Sequence, residues 1–311
     1  MLKKITVLGH KNQDTDATVA AIGLAELFKS AGIFRSTAKI ANAPNRETIY
    51  VLKRFGVKKP GTYQPKKGDV VFLVDFNEEA QSPAIFKDVQ IEGLVDHHKL
   101  NICFAKDYPI MFRVEPVGSS STIVAKMYQD YKIKPTKTIA GLLLGGIVSD
   151  TLKFSSPTTT PEDIQVAKVL ASIAKVSIPE LAQKMFEAKS DLTGMKGKDI
   201  ITMDYKEFAF GKYKTGIGVL ETVDPSSALK LEQEIRGALS EYKGQQKIDL
   251  IFFGLVDILK NSTTLLLVGN EEEEIAVKVF GRKIQNGVMH LPGVVSRKKQ
   301  IVPAFMSKLA K

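Results

Sequence analysis

Near the start of the chain, apolar residues fall into short blocks that each end on polar ones. Residues 5–8 read as a strand closed by Gly9, and residues 17–28 repeat apolar positions at helical spacing, so residues 10–16 lie on a strand-to-helix loop. Residues 70–74 form a second β-like run ending at Asp75, and residues 91–95 a third ending at Asp96, His97 and His98. Crossover helices are expected over residues 46–55 and 82–87. This alternation predicts an α/β fold with a doubly wound, mainly parallel sheet, in which ligands bind beyond the carboxyl ends of the strands.

Three helices are expected next, over residues 120–131, 138–151 and 161–174, with Asp150 at the end of the second. Residues 189–198 are polar and carry Gly194 and Gly197, the pattern of a linker. Beyond them, alternating segments at 208–220, 250–256 and 264–268, interleaved with helical stretches at 226–242 and 272–280, predict a smaller α/β domain. The run Glu271 to Glu274 suits a first helical turn, where carboxylates favour the dipole.

A length of 311 residues agrees with two domains, since single cores stop growing at roughly 250–300 residues. The first residues lack the apolar stretch of a signal peptide, and the longest apolar run, 139–148, is short of the roughly 20 residues that span a bilayer. Cys103 is the only cysteine, which excludes an intramolecular disulfide and a thiolate zinc cluster and agrees with a cytoplasmic setting. The net charge of +10 permits anionic ligands, although a solvated lysine face gives the same number.

The chemistry concentrates at the predicted strand ends. His10, Asp14 and Asp16 share one loop, and two carboxylates so close beside an imidazole repel unless a cation sits among them. Capping of the following helix by Asp16 explains one carboxylate, not three ligand-type residues. Three of the four histidines, His10, His97 and His98, follow predicted strands, whereas His290 reads as structural. Asp75 and Asp150 each end an apolar segment, where an unpartnered carboxylate costs several kcal/mol of desolvation. A His/Asp set without thiolates suits manganese or magnesium, and also cobalt or zinc. Paired ions of that kind serve phosphoester or phosphoanhydride hydrolysis. Near the C-terminus, Arg297, Lys298 and Lys299 form a cationic run that reads equally as a solvated helix start.

Taken together, GHKNQDTDA, VDFNE around Asp75, VDHHK, EPVGSSSTI, SDT at Asp150 and SRKKQ resemble the family II, manganese-dependent inorganic pyrophosphatases of the DHH phosphoesterase superfamily. The resemblance spans the whole chain. It implies a DHH metal-binding catalytic domain over 1–188, a linker over 189–198 and a substrate-binding domain over 199–311, with the active site in the cleft between them. It further implies that His10, Asp14 and Asp75 hold one manganese ion, and that Asp16, Asp75, His97 and Asp150 hold another, with Asp75 bridging. Cobalt or magnesium is a possible substitute. His98, Lys206, Arg297 and Lys298 would bind pyrophosphate, the last two through domain closure, and Asp96 would orient a ligand. A further magnesium or manganese ion would enter with the substrate, and a metal-bridged hydroxide would attack phosphorus. The family pattern also implies a homodimer, with neither nucleic acid nor membrane as partner.

Three positions depart from the pattern: Gln13 replaces a customary Pro, Ala17 a common Ser, and Phe76 the His of Asp-His-Asn. Loss of a polar neighbour of Asp75 at Phe76 is expected to alter metal affinity or turnover. No nucleotide-binding insertion separates Asp75 from Asp150, which argues against regulation by adenine nucleotides. Another DHH phosphoesterase, such as an exopolyphosphatase, would use the same metals on a longer anion. A non-catalytic nucleic-acid-binding module is the reading from a different class.

Overall fold

The computed structural model describes residues 2–64, 66–82, 89–101 and 108–309. They divide into two compact units, Met1–Ala188 and Lys189–Lys311. The helix expected at 82–87 and Cys103 lie outside the described residues, apart from Ser82.

The first unit runs β1 (Lys4–Leu8), α1 (Thr15–Ser30), β2 (Arg35–Lys39), α2 (Arg46–Arg54), β3 (Val70–Val74), β4 (Gln90–Asp96), β5 (Met111–Val114), α3 (Ser120–Asp130), α4 (Lys137–Asp150), α5 (Pro161–Ala174) and α6 (Ile178–Lys189). Its five strands pair in the order β2-β1-β3-β4-β5, and every pairing is parallel. The order reverses direction at β1, so the point between β1 and β3 is where a doubly wound sheet opens a crevice for ligands. β3, VVFLV, is a continuous apolar run because it lies inside the sheet, and β4, beside it, is buried from Gly93 to Asp96. The edge strands β2, with sequence RSTAK, and β5, with sequence MFRV, are short, partly exposed and polar enough to carry no strand signature. Helix α4 is apolar almost all round, as a helix packed against α1, α3 and α5 must be.

The second unit contains α7 (Gly197–Thr202), β6 (Tyr205–Phe210), β7 (Tyr213–Thr222), α8 (Pro225–Leu229), α9 (Glu232–Gln245), β8 (Leu250–Asp257), β9 (Ser262–Leu266), α10 (Asn270–Phe280), β10 (Ile284–Gln285), β11 (Val288–Pro292) and α11 (Val302–Leu309). Its sheet, β10-β11-β9-β8-β7-β6, is mixed, with only β7 and β8 parallel. The alternation read over 208–220 is thus a hairpin of β6 and β7. Glu232 breaks no pattern, yet the stretch 226–242 divides into α8 and α9 around Lys230 and Leu231. The segment 189–198 is not a loose tether: Leu192 is buried in the core with Ile200, Ile235 and Phe253, and Ser190 accepts a hydrogen bond from Thr222 at 2.8 Å. Its polar look comes from lysines on the outside of an ordered turn. Among the described residues, no helix is long and apolar enough to cross a membrane.

Phe305 of α11 is fully buried and stacks among Phe210, Phe252 and Phe280, closing one face of this sheet. Phe305→Ala is expected to destabilise the second unit by about 3–5 kcal/mol, the usual cost of emptying an aromatic core site. Urea unfolding followed by circular dichroism measures it, and a loss below about 1 kcal/mol would show that the site collapses or is less central than its packing indicates.

Candidate metal centre

Every donor in the first unit is delivered by the end of a secondary-structure element. β1 leads through Gly9 to His10, and the N-terminus of α1 carries Asp14 as its cap and Asp16 in its first turn. The capping residue is Asp14, whose Oδ1 accepts from the Ala17 N–H at 3.0 Å, and not Asp16. β3 ends at Asp75, β4 at Asp96 followed by His97 and His98, and α4 at Asp150. Asp75 has a positive φ of 69°, a left-handed conformation that turns the chain sharply off the strand. The three residues after Thr151, Leu152, Lys153 and Phe154, are left-handed as well, with φ of 47°, 52° and 71°. Such a run costs about 1–2 kcal/mol per residue and needs support, which the Thr151 carbonyl gives by accepting from the Ser156 N–H at 2.9 Å.

Asp75 stands between two groups. Its Oδ2 lies 3.6 Å from His10 Nε2, which is itself 3.6 Å from Asp14 Oδ2. Its Oδ1 lies 3.3 Å from His97 Nε2, which is 3.5 Å from Asp150 Oδ2. Donor atoms of His10, Asp14 and Asp75, and separately of Asp16, Asp75, His97 and Asp150, fall within 4.8 Å of one another. Neighbouring ligands on one ion with bonds of about 2.1 Å stand about 3.0–3.4 Å apart, so these spacings fit a cation in each group. Asp75 and Asp16 are buried, and carboxylates so close cannot all stay charged without positive compensation.

The second test is the state of His97. Its Nδ1 sits 3.0 Å from the Val117 carbonyl, which fixes the proton there. Nε2 is buried with no hydrogen-bond partner and aims its lone pair at the carboxylates of Asp75 and Asp150. That is the arrangement of a metal-ligating imidazole oriented by a backbone carbonyl. Without an ion a proton takes the place: burial opposes it, but the Asp75 carboxylate 3.3 Å away raises the His97 pKa to about 9. For Asp16, burial and the charge of Asp75 push the carboxyl up to about 7.

Asp16 is buried at the N-terminus of α3, and the triple serine of the sequence surrounds it. Ser119 Oγ donates to its Oδ1 at 2.8 Å, the Ser120 N–H to its Oδ2 at 2.7 Å, and the Ser121 N–H and Oγ to Oδ1 at 3.0 and 2.5 Å. Ser120 Oγ donates to Asp75 Oδ1 at 2.8 Å. These supports were not named from the sequence, although hydroxyls just ahead of an apolar helix are a helix-start signal that puts free N–H groups beside them. Asn77 was missed as well. It donates to Asp96 Oδ2 at 2.5 Å and accepts from the Asn101 N–H at 2.7 Å, joining the loop after β3 to the loop after β4.

Asp96 is fully buried and accepts from the His97 N–H at 2.8 Å and from His98 Nδ1 at 2.8 Å. Burial alone would raise its pKa, but His98 and Asn77 bring it below the ordinary value, while the hydrogen bond that His98 donates to Asp96 raises the pKa of His98. His98 is half exposed, 4.0 Å from Asp75 Oδ1. Phe76, which directly follows Asp75, is buried in a cluster with Leu8, Val71, Leu73 and Leu94. Gln13 uses its Oε1 to accept from the Ala41 N–H at 2.7 Å.

In the second unit, Lys206, Arg297 and Lys298 line one pocket together with Asp204, Glu221 and Ser296. Arg297 opens a short π-helical turn capped by Ser296 and is tied down, with Nη2 2.5 Å from Asp204 Oδ1 and Nη1 2.6 Å from the Asp204 carbonyl. The side chains of Lys206 and Lys298 make no hydrogen bond or ion pair with the described residues. His290 lies on β11, paired in register with Thr264.

A family model described as the DHH family, N-terminal domain, matches residues 4–147, and one described as the DHHA2 domain matches residues 183–307. The chain is 39% identical to a protein of Exiguobacterium sp. named a probable manganese-dependent inorganic pyrophosphatase, over 99% of both chains. It is 37% identical to the manganese-dependent inorganic pyrophosphatase of Bacillus subtilis, over 99% of this chain and all of that one. A crystal structure of a Methanococcus jannaschii protein assigned to the family II inorganic pyrophosphatases superposes with a TM-score of 0.68 at 36% identity, covering 99% of this chain and 100% of the other.

Two outcomes follow from this geometry. In metal-free protein, Asp16 binds its proton more tightly folded than unfolded, so stability falls as pH rises from 3.8 toward about 7. His97 contributes stability below 6.5 that disappears as pH climbs toward about 9. Thermal melts in chelator should therefore show Tm falling from pH 5 to 9, and excess manganese should remove most of that slope because the ion competes with protons; a rising Tm would contradict the assignment. Gly146 is the other test, since a Cβ there would sit 2.2 Å from Ser121 Oγ and 2.5 Å from Asp16 Oδ1. Gly146→Ala should cost about 1–3 kcal/mol of stability in urea titrations and weaken manganese binding.

Proposed function

The chain belongs to the family of manganese-dependent inorganic pyrophosphatases built from a DHH and a DHHA2 domain, and from that premise we propose that it hydrolyses inorganic pyrophosphate to two phosphates at the centre around Asp75. The observation that carries the reading is the split carboxylate of Asp75, with one oxygen toward His10 and Asp14 and the other toward His97 and Asp150.

In this reading two manganese ions bind per chain, the first held by His10, Asp14 and Asp75 and the second by Asp16, Asp75, His97 and Asp150, with cobalt or magnesium as substitutes. When bound, such ions lower the pKa of a water between them and offset charge on the phosphoryl oxygens. The residues supply the rest. The serines and N–H groups at the start of α3 orient the Asp16 carboxylate, and Val117 fixes the His97 tautomer. Asp96 accepts from His98 Nδ1 and raises its pKa, which favours the protonated ring that can donate from Nε2 to an anionic oxygen. Lys206, Arg297 and Lys298 provide cationic charge for the pyrophosphate, Arg through its fork and the lysines as point charges. A further magnesium or manganese ion accompanies the substrate. The homodimer belongs to the same reading, and the exposed Phe112 on the edge strand β5 is consistent with a covered edge.

Metal-free protein supplied with manganese or magnesium should release phosphate from pyrophosphate far faster than from long-chain polyphosphate, ATP or a dinucleotide. Asp75→Ala should lower that rate by about a hundred- to thousandfold, several kcal/mol of transition-state stabilisation. A preference for polyphosphate would keep the metal centre and move the substrate, and full activity in Asp75→Ala would remove the bridging role.

A further inference from the structure

Glu47 is a buried carboxylate that no step above uses. It lies in the first turn of α2, 1% exposed, far in sequence from every donor. Its Oε2 accepts two hydrogen bonds, from Thr15 Oγ1 and from Ser149 Oγ, each at 2.7 Å. Thr15 is fully buried and takes a further bond with Thr48 Oγ1 at 3.1 Å, and Ser149 is also buried. Glu47 Oε1 is buried with no hydrogen-bond partner. A carboxylate in such a place costs several kcal/mol of desolvation that two hydroxyls and a helix N-terminus offset only in part.

What the two hydroxyls have in common is their position. Thr15 lies between Asp14 and Asp16 at the start of α1, and Ser149 immediately precedes Asp150 at the end of α4. One oxygen of Glu47 therefore ties the backbone bearing two donors to the backbone bearing a third. Asp14 serves the group around His10, while Asp16 and Asp150 serve the group around His97. α1 and α4 are far apart in the chain and meet only by packing, so sliding of one helix past the other would pull Asp16 from Asp150. A hydrogen-bonded strut across their ends opposes that slide.

We infer that Glu47 is a positioning residue for the metal centre, holding the donors on α1 and α4 in register through Thr15 and Ser149. The inference rests on the metal-centre reading above and concerns metal affinity before any substrate binds. Removing a residue that orients ligands typically weakens metal binding about 10- to 100-fold.

The test is calorimetric titration of metal-free full-length protein with manganese chloride, with circular dichroism to confirm folding of each variant. Glu47→Ala should raise the manganese Kd by about tenfold or more. Glu47→Gln should stay within about threefold of the parent, because its carbonyl still accepts from both hydroxyls. Should Glu47→Ala fail to fold, Thr15→Val and Ser149→Ala each remove one contact and should each weaken binding measurably. An unchanged Kd in folded Glu47→Ala, or in both single-contact variants, overturns the inference. Equal weakening in Gln and Ala also overturns it, because the effect would then come from charge and not from the strut. If the parent protein itself bound no manganese, the metal-centre reading would fail instead.

Discussion

Repulsion among buried carboxylates is the constraint from which the first unit is organised. Asp16, Asp75 and Asp96 are each buried, with Asp14 and Asp150 beside them. A fold that gathers so much negative charge in low dielectric has to supply compensation in directions fixed beforehand. The serines and N–H groups at the start of α3 take Asp16, while Asn77 and two backbone N–H groups take Asp96. What they leave without a hydrogen-bond partner is Nε2 of His97, which faces the carboxylates of Asp75 and Asp150. The hydrogen-bond network thus determines where positive charge must go, and a divalent cation meets that demand better than a proton on one histidine.

Topology explains why so few residues achieve this. The reversal of strand order between β1 and β3 leaves the chain leaving both strands on the same side, so His10 and Asp75 emerge beside one another although far apart in sequence. β4 then adds His97 on the other flank of Asp75. The left-handed turn at Asp75 is what lets its carboxylate sit across that gap instead of continuing along the pleat, and Asp tolerates this conformation better than most residues.

How much of this could be read from the chain depended on the type of signal. Apolar runs ending on His or Asp gave β1, β3, β4 and the donors after them, because burial makes such strands uniformly hydrophobic. β2, β5 and β10 escaped for the opposite reason, since edge strands face water and carry no continuous apolar run, and β11, inside its sheet, escaped because its buried and exposed positions alternate over only five residues. Residues 189–198 looked like a linker because their composition is polar, but Leu192 alone is enough to anchor the segment in the core. The serines around Asp16 and the role of Asn77 depend on contacts between segments distant in sequence, which no local pattern contains. Glu47 was hidden in another way, since a glutamate in a first helical turn has an ordinary local explanation.

The substituted positions mark the limit of reading a site from adjacency. Phe76 follows a donor directly, yet its side chain belongs to the apolar cluster of Val71 and Leu73, because the turn at Asp75 sends the next residue back beneath the sheet. Gln13, in contrast, sits on the donor loop itself, and its amide oxygen takes the Ala41 N–H, an acceptor role that a proline ring cannot fill. Its Nε2 is buried without a partner, so the replacement satisfies one backbone group while leaving a donor of its own unpaired.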